Sequence, residues 1–460
     1  MFPNGTCRPL PRREESCFVM AGEEEVQVVE SCFVMPAAAT PGRALRLSPL
    51  DLMLANKGHT PLVHFYRRCG SVGTTKDDFF DVARLKTALG KALVAFYPLA
   101  GRLRPDAKGK LEIDCNGEGL PFLVARSRLT ADDFRDFKPS PRLRRLFVPL
   151  VDDSAGILCA IQVTFLKCGG VVLGTATHHG AVDGTAAFHF FRTWSAFSRD
   201  GDRAVVNLPY HDRTRLCARD PPIVHPDALS TFFPKIILSR TLGPVVNEVF
   251  TLQKDQVSTL KHICGGASVR TFSVVSAHVW QCMCLARRLP PNSTTRLAFV
   301  ANIRRSMMPP LPDGYFGNAL INLSVADEAR RIALGELAYI ARRIRDTISR
   351  VNDELVHSAV DYLELALTKT DNSTALGSLP ATDMRMVSWL GMPFYDLDFS
   401  WGKPLATLCA ESNRGGFAHL LESVQGDGSV RVIMCIEAAV LKEFECLFYA
   451  KSGAMMYSKF

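Results

Sequence analysis

The run from 159 to 200 constrains this chain more than any other. Residues 160–166 are β-rich, and Gly169-Gly170 offers the positive-φ positions of a tight hairpin turn. Residues 171–177 return as the paired strand, and His178-His179-Gly180-Ala181-Val182-Asp183-Gly184 follows. Beyond it, 185–198 is rich in Ala and Phe and reads as a helix. The two histidines therefore stand where a strand ends and a loop leads to a helix. A rigid sheet beside an open loop is a common seat for catalytic groups. Gly180 and Gly184 permit close backbone approach or unusual φ, which suits a substrate passage better than a core.

The bare spacing His-x-x-x-Asp is weak evidence. His357 and Asp361 repeat it inside a plain, helix-like stretch. Competing chemistries have no support: the chain lacks a Gly-x-Ser-x-Gly elbow, a phosphate-binding Walker loop, a Gly-x-Gly-x-x-Gly after a strand, and His-Glu-x-x-His. A base without a side-chain nucleophile fits direct transfer, in which the base activates an acceptor that attacks a donor. No further ligand is spaced to complete a metal site, so no metal is expected.

A length of 460 residues suits two domains rather than one core. We divide it into a disordered extension at 1–19, an N-terminal domain at 20–201, a crossover at 202–234 and a C-terminal domain at 235–460. The extension is Pro- and Arg-rich. Its last residues begin a copy of Glu-Ser-Cys-Phe-Val-Met, found at 15–20 and again at 30–35, so Met20 is a candidate start. Strands are expected at 26–34, 61–67, 111–115, 297–301, 319–325 and 430–437. Helices are expected at 78–96, 274–285 and 332–352. Mixed elements in both halves make the fold class α/β or α+β.

The net charge of +8 is spread along the chain, densest at 142–145 and 330–350, without the basic–aromatic interleaving of a nucleic-acid surface. A small polyanion such as a coenzyme phosphate is the better match. No apolar run reaches a membrane span, and the first residues lack the apolar core of a secretory signal. The fourteen cysteines form no Cys-x-x-Cys pair, and many sit in apolar runs. A reducing cytoplasmic setting is expected.

Two ordered motifs carry a family resemblance. The first is His178–Gly184. The second is Asp398-Phe399-Ser400-Trp401-Gly402, which matches the signature Asp-Phe-Gly-Trp-Gly except at Ser400. Further matches are Leu47-Ser48-Pro49-Leu50-Asp51, residues 96–102, Ala277-His278-Val279-Trp280 and Tyr315-Phe316-Gly317-Asn318. Across residues 26–450 the chain resembles the plant BAHD acyl-CoA-dependent acyltransferases, most closely their hydroxycinnamoyltransferase branch.

The resemblance implies two similar chloramphenicol-acetyltransferase-like domains with the active-site channel at their interface. It implies His179 as general base and the indole of Trp389 as a donor near the oxyanion; an indole N–H is a donor only. Asp183 would pair with Arg304 rather than do chemistry. Gly184, Asp398, Phe399, Trp401 and Gly402 would be structural parts of the motifs, and His178 and His189 packing residues. No cofactor is implied, because acyl-CoA serves as a co-substrate, with a small amine or alcohol as acceptor and neither nucleic acid nor membrane as partner. A monomer is expected. Ser400 in place of Gly is mild if its φ is ordinary and costly if its φ is positive.

The acceptor follows from two departures. Shikimate-using relatives carry a Thr where this chain has Val387, and an acceptor-binding Arg where it has Thr374; Arg385 is the nearest alternative. The expectation is therefore an amine acceptor (putrescine, spermidine or agmatine) in phenolamide and phenylpropanoid metabolism. The alternatives are O-acylation of shikimate, quinate or another plant alcohol, and a catalytically silent paralogue that binds ligands.

Overall fold

The computed structural model describes residues 7–9, 25–68, 79–134, 136–226, 243–266, 268–367, 379–412 and 414–450. Alternation of buried side chains builds two large mixed sheets and one small one. The first sheet runs in the order β1 (Cys7–Pro9), β2 (Val26–Val34), β7 (Leu120–Ser127), β8 (Cys159–Phe165), β9 (Val171–His178), β4 (His59–Tyr66) and β14 (Ala406–Cys409). The second runs β10 (Val245–Leu252), β16 (Val430–Glu437), β15 (Phe417–Glu422), β13 (Asp383–Ser388), β11 (Thr294–Asn302) and β12 (Leu320–Glu328). The small sheet holds β3 (Ala44–Arg46), β6 (Leu111–Asp114) and β5 (Arg102–Pro105). β7 and β8 pair in parallel, as do β11 with β13 and β13 with β15; the other pairs are antiparallel. The fold is mixed α/β in both halves.

The hairpin read from Gly169-Gly170 is present. β8 and β9 pair antiparallel from Cys159↔Thr177 to Phe165↔Val171, and Gly169 takes φ +81° in the turn. One face of the first sheet buries Phe122, Ile161 and Leu173 beneath the helices Val82–Ala95 and Gly184–Asp200. The second sheet buries Leu297, Met384, Leu420 and Met434 beneath the almost wholly buried helix Thr271–Ala286.

The halves exchange segments. The short helix Pro49–Ala55 is started by Ser48, whose Oγ accepts the Asp51 N–H, and it sends Leu50 into the second core. In return Phe394, Leu397, Phe399 and Trp401 fill the first core, and β14 pairs with β4. A boundary at 235 therefore divides the sequence but not the cores. Within the expected extension, Cys7–Pro9 lie antiparallel on β2; residues 1–6 and 10–19 fall outside the described residues. The helix expected over 332–352 is two helices, Ala329–Leu334 and Leu337–Ser349. They part at Gly335, whose backbone is extended, at φ −76° and ψ 167°.

Candidate active site

β9 ends at His178, and adjacent strand-end side chains turn to opposite faces. His178 turns inward. It is buried, lies edge-on to His59 with ring centroids 5.1 Å apart, and accepts the Gly180 N–H at 3.2 Å. His179 remains half-buried. Its backbone is held from two sides: its N–H donates to Gly58 O at 2.9 Å, and its carbonyl accepts Asn318 Nδ2 at 2.8 Å. Gly180 next to it allows this approach, since a Cβ there would lie 2.9 Å from Ala55 Cα. The His179 ring is neutral at ordinary pH. Burial first, and the charge of Lys57 second, pull its proton affinity down to about 4 against the opposing effect of Asp183.

Asp183 is the N-cap of the helix Gly184–Asp200, and Oδ1 accepts the Ala186 N–H at 3.0 Å. Arg304 grips both oxygens, Nη1 to Oδ2 at 2.7 Å and Nη2 to Oδ1 at 3.0 Å, and the Ala319 N–H adds 3.0 Å to Oδ2. The carboxylate faces Arg304 and backbone rather than the His179 ring, and it ties the two halves together. Gly184 opens the helix against Met392. His189 lies on that helix with Nε2 2.9 Å from Asn207 O and its ring against Phe96.

The second motif is a tight turn on the first core. Asp398 Oδ1 accepts the N–H groups of Ser400 at 2.8 Å and Gly402 at 3.0 Å. Phe399 packs on Trp194, and Trp401 stacks on Phe80 at 4.8 Å beneath Arg84. Ser400 has φ +85°, so this is the strained case rather than the mild one. Trp389 follows β13. Its ring packs on Phe394 at 4.9 Å and His419 at 5.1 Å, and its indole N–H has no acceptor among the described residues.

A model of the Transferase family matches residues 24–451. The chain is 40% identical over 448 residues to putrescine hydroxycinnamoyltransferase 1 of Oryza sativa subsp. japonica, covering 92% of this chain and 98% of that protein. It is 37% identical to a hydroxycinnamoyl-CoA:5-hydroxyanthranilate N-hydroxycinnamoyltransferase of Avena sativa, covering 92% of this chain and 99% of that protein.

The chain is a BAHD acyltransferase. Among solved structures, vinorine synthase shares its two-domain fold at a TM-score of 0.72 and 23% identity, covering 93% of this chain and all of that one. As in its family, acyl-CoA is a co-substrate of this BAHD acyltransferase rather than a resident cofactor. Among the described residues no three His, Cys, Asp or Glu side chains gather as a metal site requires. None of the described helices is long and apolar enough to cross a membrane.

Sequence reasoning missed several parts of the site. Asp51 and Asn318 were matched to family motifs without a role. Asp51 Oδ1 accepts both the N–H and Nδ2 of Asn318 at 2.9 Å, and Oδ2 pairs with Arg213 at 3.0 Å. Asn318 in turn holds the His179 carbonyl. The buried-helix motif at 47–51 was the available signal for Asp51; nothing local marks Arg213. A cavity of about 1160 Å³ beside Arg304, lined in part by Thr185, Arg270, Asn302, Arg305 and Arg345, also went unread. Its arginines come from separate segments that only the fold brings together. Thr374 lies outside the described residues.

Proposed function

We propose that this BAHD acyltransferase moves a hydroxycinnamoyl group from CoA to an amine acceptor, with His179 as general base. The observation that carries the base is its ring: half-buried, neutral, and fixed through its own backbone by Gly58 and Asn318. The likeness to N-acylating relatives, one acting on putrescine and one on 5-hydroxyanthranilate, supports the amine.

The arginine-lined cavity beside Arg304 suits the phosphates of the donor. The acceptor nitrogen attacks the thioester carbonyl, and His179 takes a proton from it as the C–N bond forms. The Trp389 indole N–H is the donor suited to the resulting oxyanion. Collapse breaks the C–S bond, and the departing thiolate takes the proton from His179. Asp183 takes no part in these transfers; it keeps the halves in register through Arg304.

The test is thioester consumption by purified protein with coumaroyl-CoA and a panel of putrescine, spermidine, agmatine, anthranilate and shikimate. Amide products support the reading. Esters alone replace it with O-acylation, and no consumption with any acceptor leaves a silent ligand-binding paralogue.

A further inference from the structure

β13 and β15 alternate their side chains between two faces. Met384, Met386, Ala418 and Leu420 enter the second core, so Arg385, Val387, Phe417 and His419 stand on the other face. That face meets the first half. Asn322 on β12 reaches Met53 Sδ at 3.7 Å in the helix Pro49–Ala55. Lys57 follows that helix, next to the Gly58 carbonyl that holds His179.

Arg385 and Arg304 are both 7% exposed, yet their surroundings differ. Arg304 holds the single carboxylate of Asp183 in its fork. Arg385 makes one side-chain hydrogen bond, Nη2 to Asn322 Oδ1 at 2.7 Å, and has no acidic partner among the described residues. Lys57 and Arg414, both exposed, have no acidic partner there either. Burial, then Arg414, lower Arg385 to about 10, and the charges of Arg385 and Arg414 also repel the exposed ammonium of Lys57. A buried guanidinium without a counter-charge is costly unless a ligand supplies one.

We infer that Arg385, with Lys57 and Arg414, forms a subsite for a carboxylate carried by the acceptor. A planar guanidinium accepts a carboxylate through two parallel hydrogen bonds. A CoA phosphate is the other anion in this reaction. Lys57 adjoins the backbone that holds the catalytic imidazole, whereas the donor cavity has its own arginines beside Arg304. The inference rests on the acyl-transfer reading and narrows it. A cationic wall repels a polyamine and suits an amine that also bears a carboxylate, such as an amino acid or an aminobenzoate.

Matched acceptors test this: tyrosine against tyramine and anthranilate against aniline, with putrescine and shikimate beside them, in wild type and Arg385→Gln. The carboxylate-bearing member of each pair is preferred by wild type. Arg385→Gln raises its KM by roughly 10–100-fold, the loss of one charge-assisted contact, and leaves the KM of tyramine, aniline and coumaroyl-CoA within about two-fold. If the substitution prevents folding, exposed Lys57→Gln shifts the same KM in the same direction by a smaller factor. A rise in coumaroyl-CoA KM with unchanged acceptor KM assigns the cluster to a phosphate and overturns the inference. So does a wild type that prefers tyramine, aniline and putrescine. If shikimate alone is acylated, with a KM that depends on Arg385, the subsite stands and the amine reading falls.

Discussion

The spacing His-x-x-x-Asp occurs at 179–183 and at 357–361, and the backbone decides what each becomes. At 357–361 it lies within the unbroken helix Asp353–Leu367. Four residues are about one helical turn, so both side chains share a face. Asp361 accepts Arg219 Nε at 2.6 Å and the N–H groups of Arg219 and Ile223 at 2.8 and 2.9 Å. His357 turns back toward Asp353 at 3.8 Å. At 179–183 the chain leaves β9, turns, and starts a new helix with Asp183 as its cap. The aspartates end alike, each bound to an arginine. Only the histidines differ, because only His179 is left at a break between strand and helix with a neutral ring free of a carboxylate.

Removing each histidine gives the largest contrast. His179→Ala is expected to lower kcat/KM by roughly 10²–10⁴-fold, the range of general-base catalysis, with melting little changed. His357→Ala is expected to stay within about two-fold, as its ion-pair neighbour among the described residues is Asp353 on the helix surface. Equal losses in both proteins, read from initial rates with coumaroyl-CoA, would show that the spacing and not the backbone break carries the chemistry.

Removing each aspartate tests the likeness instead. Asp183→Ala leaves Arg304 buried without its counter-charge, and a loss of about 3–5 kcal/mol is expected. Asp361→Ala leaves Arg219 with Glu354 and partial solvent contact, so about 1–3 kcal/mol is expected. Neither substitution should lower turnover per folded molecule by more than a few-fold. Unchanged denaturant midpoints for Asp183→Ala with turnover lost would instead make Asp183 the group that orients the base.

These contrasts also mark how far the sequence could be read. The hairpin at Gly169, the strand end at His178 and the helix after Asp183 were legible because local turn chemistry and periodicity determine them. The Asp183–Arg304 pair came only with the resemblance, since nothing in spacing connects those positions. The Asp51–Asn318–His179 link and the cluster of Lys57, Arg385 and Arg414 were not legible. Each joins segments far apart in sequence, and alternation on β13 reveals a face but not what covers it. The segment exchange was hidden for the same reason: Phe399 and Trp401 read as apolar, but apolarity does not say which of two cores receives them.

Acid sharpens the contrast between His179 and an ordinary solvent-facing imidazole. His179, His211 and His419 are held at about 4, and His64 and His178 at about 3, in every case by burial first. In the unfolded chain each titrates near ~6.5. The folded state therefore keeps them neutral while the unfolded state gains protons as pH falls. Their contribution to stability is present above about 6.5 and is lost as pH drops toward 4. Melting temperature is expected to fall between pH 6.5 and 4.5. With a weakly basic acceptor such as anthranilate, the acid limb of kcat/KM is expected near pH 4, measured in initial rates before unfolding. A limb at 6.5 would mean that His179 is protonated like a free imidazole.

The smallest expected effect belongs to the other backbone break, at the second motif. Ser400 stands at φ +85° because Asp398 Oδ1 draws the N–H groups of Ser400 and Gly402 into one turn. A left-handed conformation costs a residue with a Cβ about 1–2 kcal/mol, and Gly escapes that cost. Gly also gains freedom in the unfolded chain, which returns about 0.4–1 kcal/mol to that state. Ser400→Gly is thus expected to stabilise by about 0.5–1 kcal/mol, which in a chain of this length raises Tm by about 1 °C. Turnover is expected to stay the same, because the exposed Ser400 side chain makes no hydrogen bond of its own among the described residues, and Trp401 is fixed on Phe80 by stacking. If the glycine protein melts lower or loses activity, the Ser400 hydroxyl has a partner in solution, and the motif works through that side chain as well as through its backbone turn.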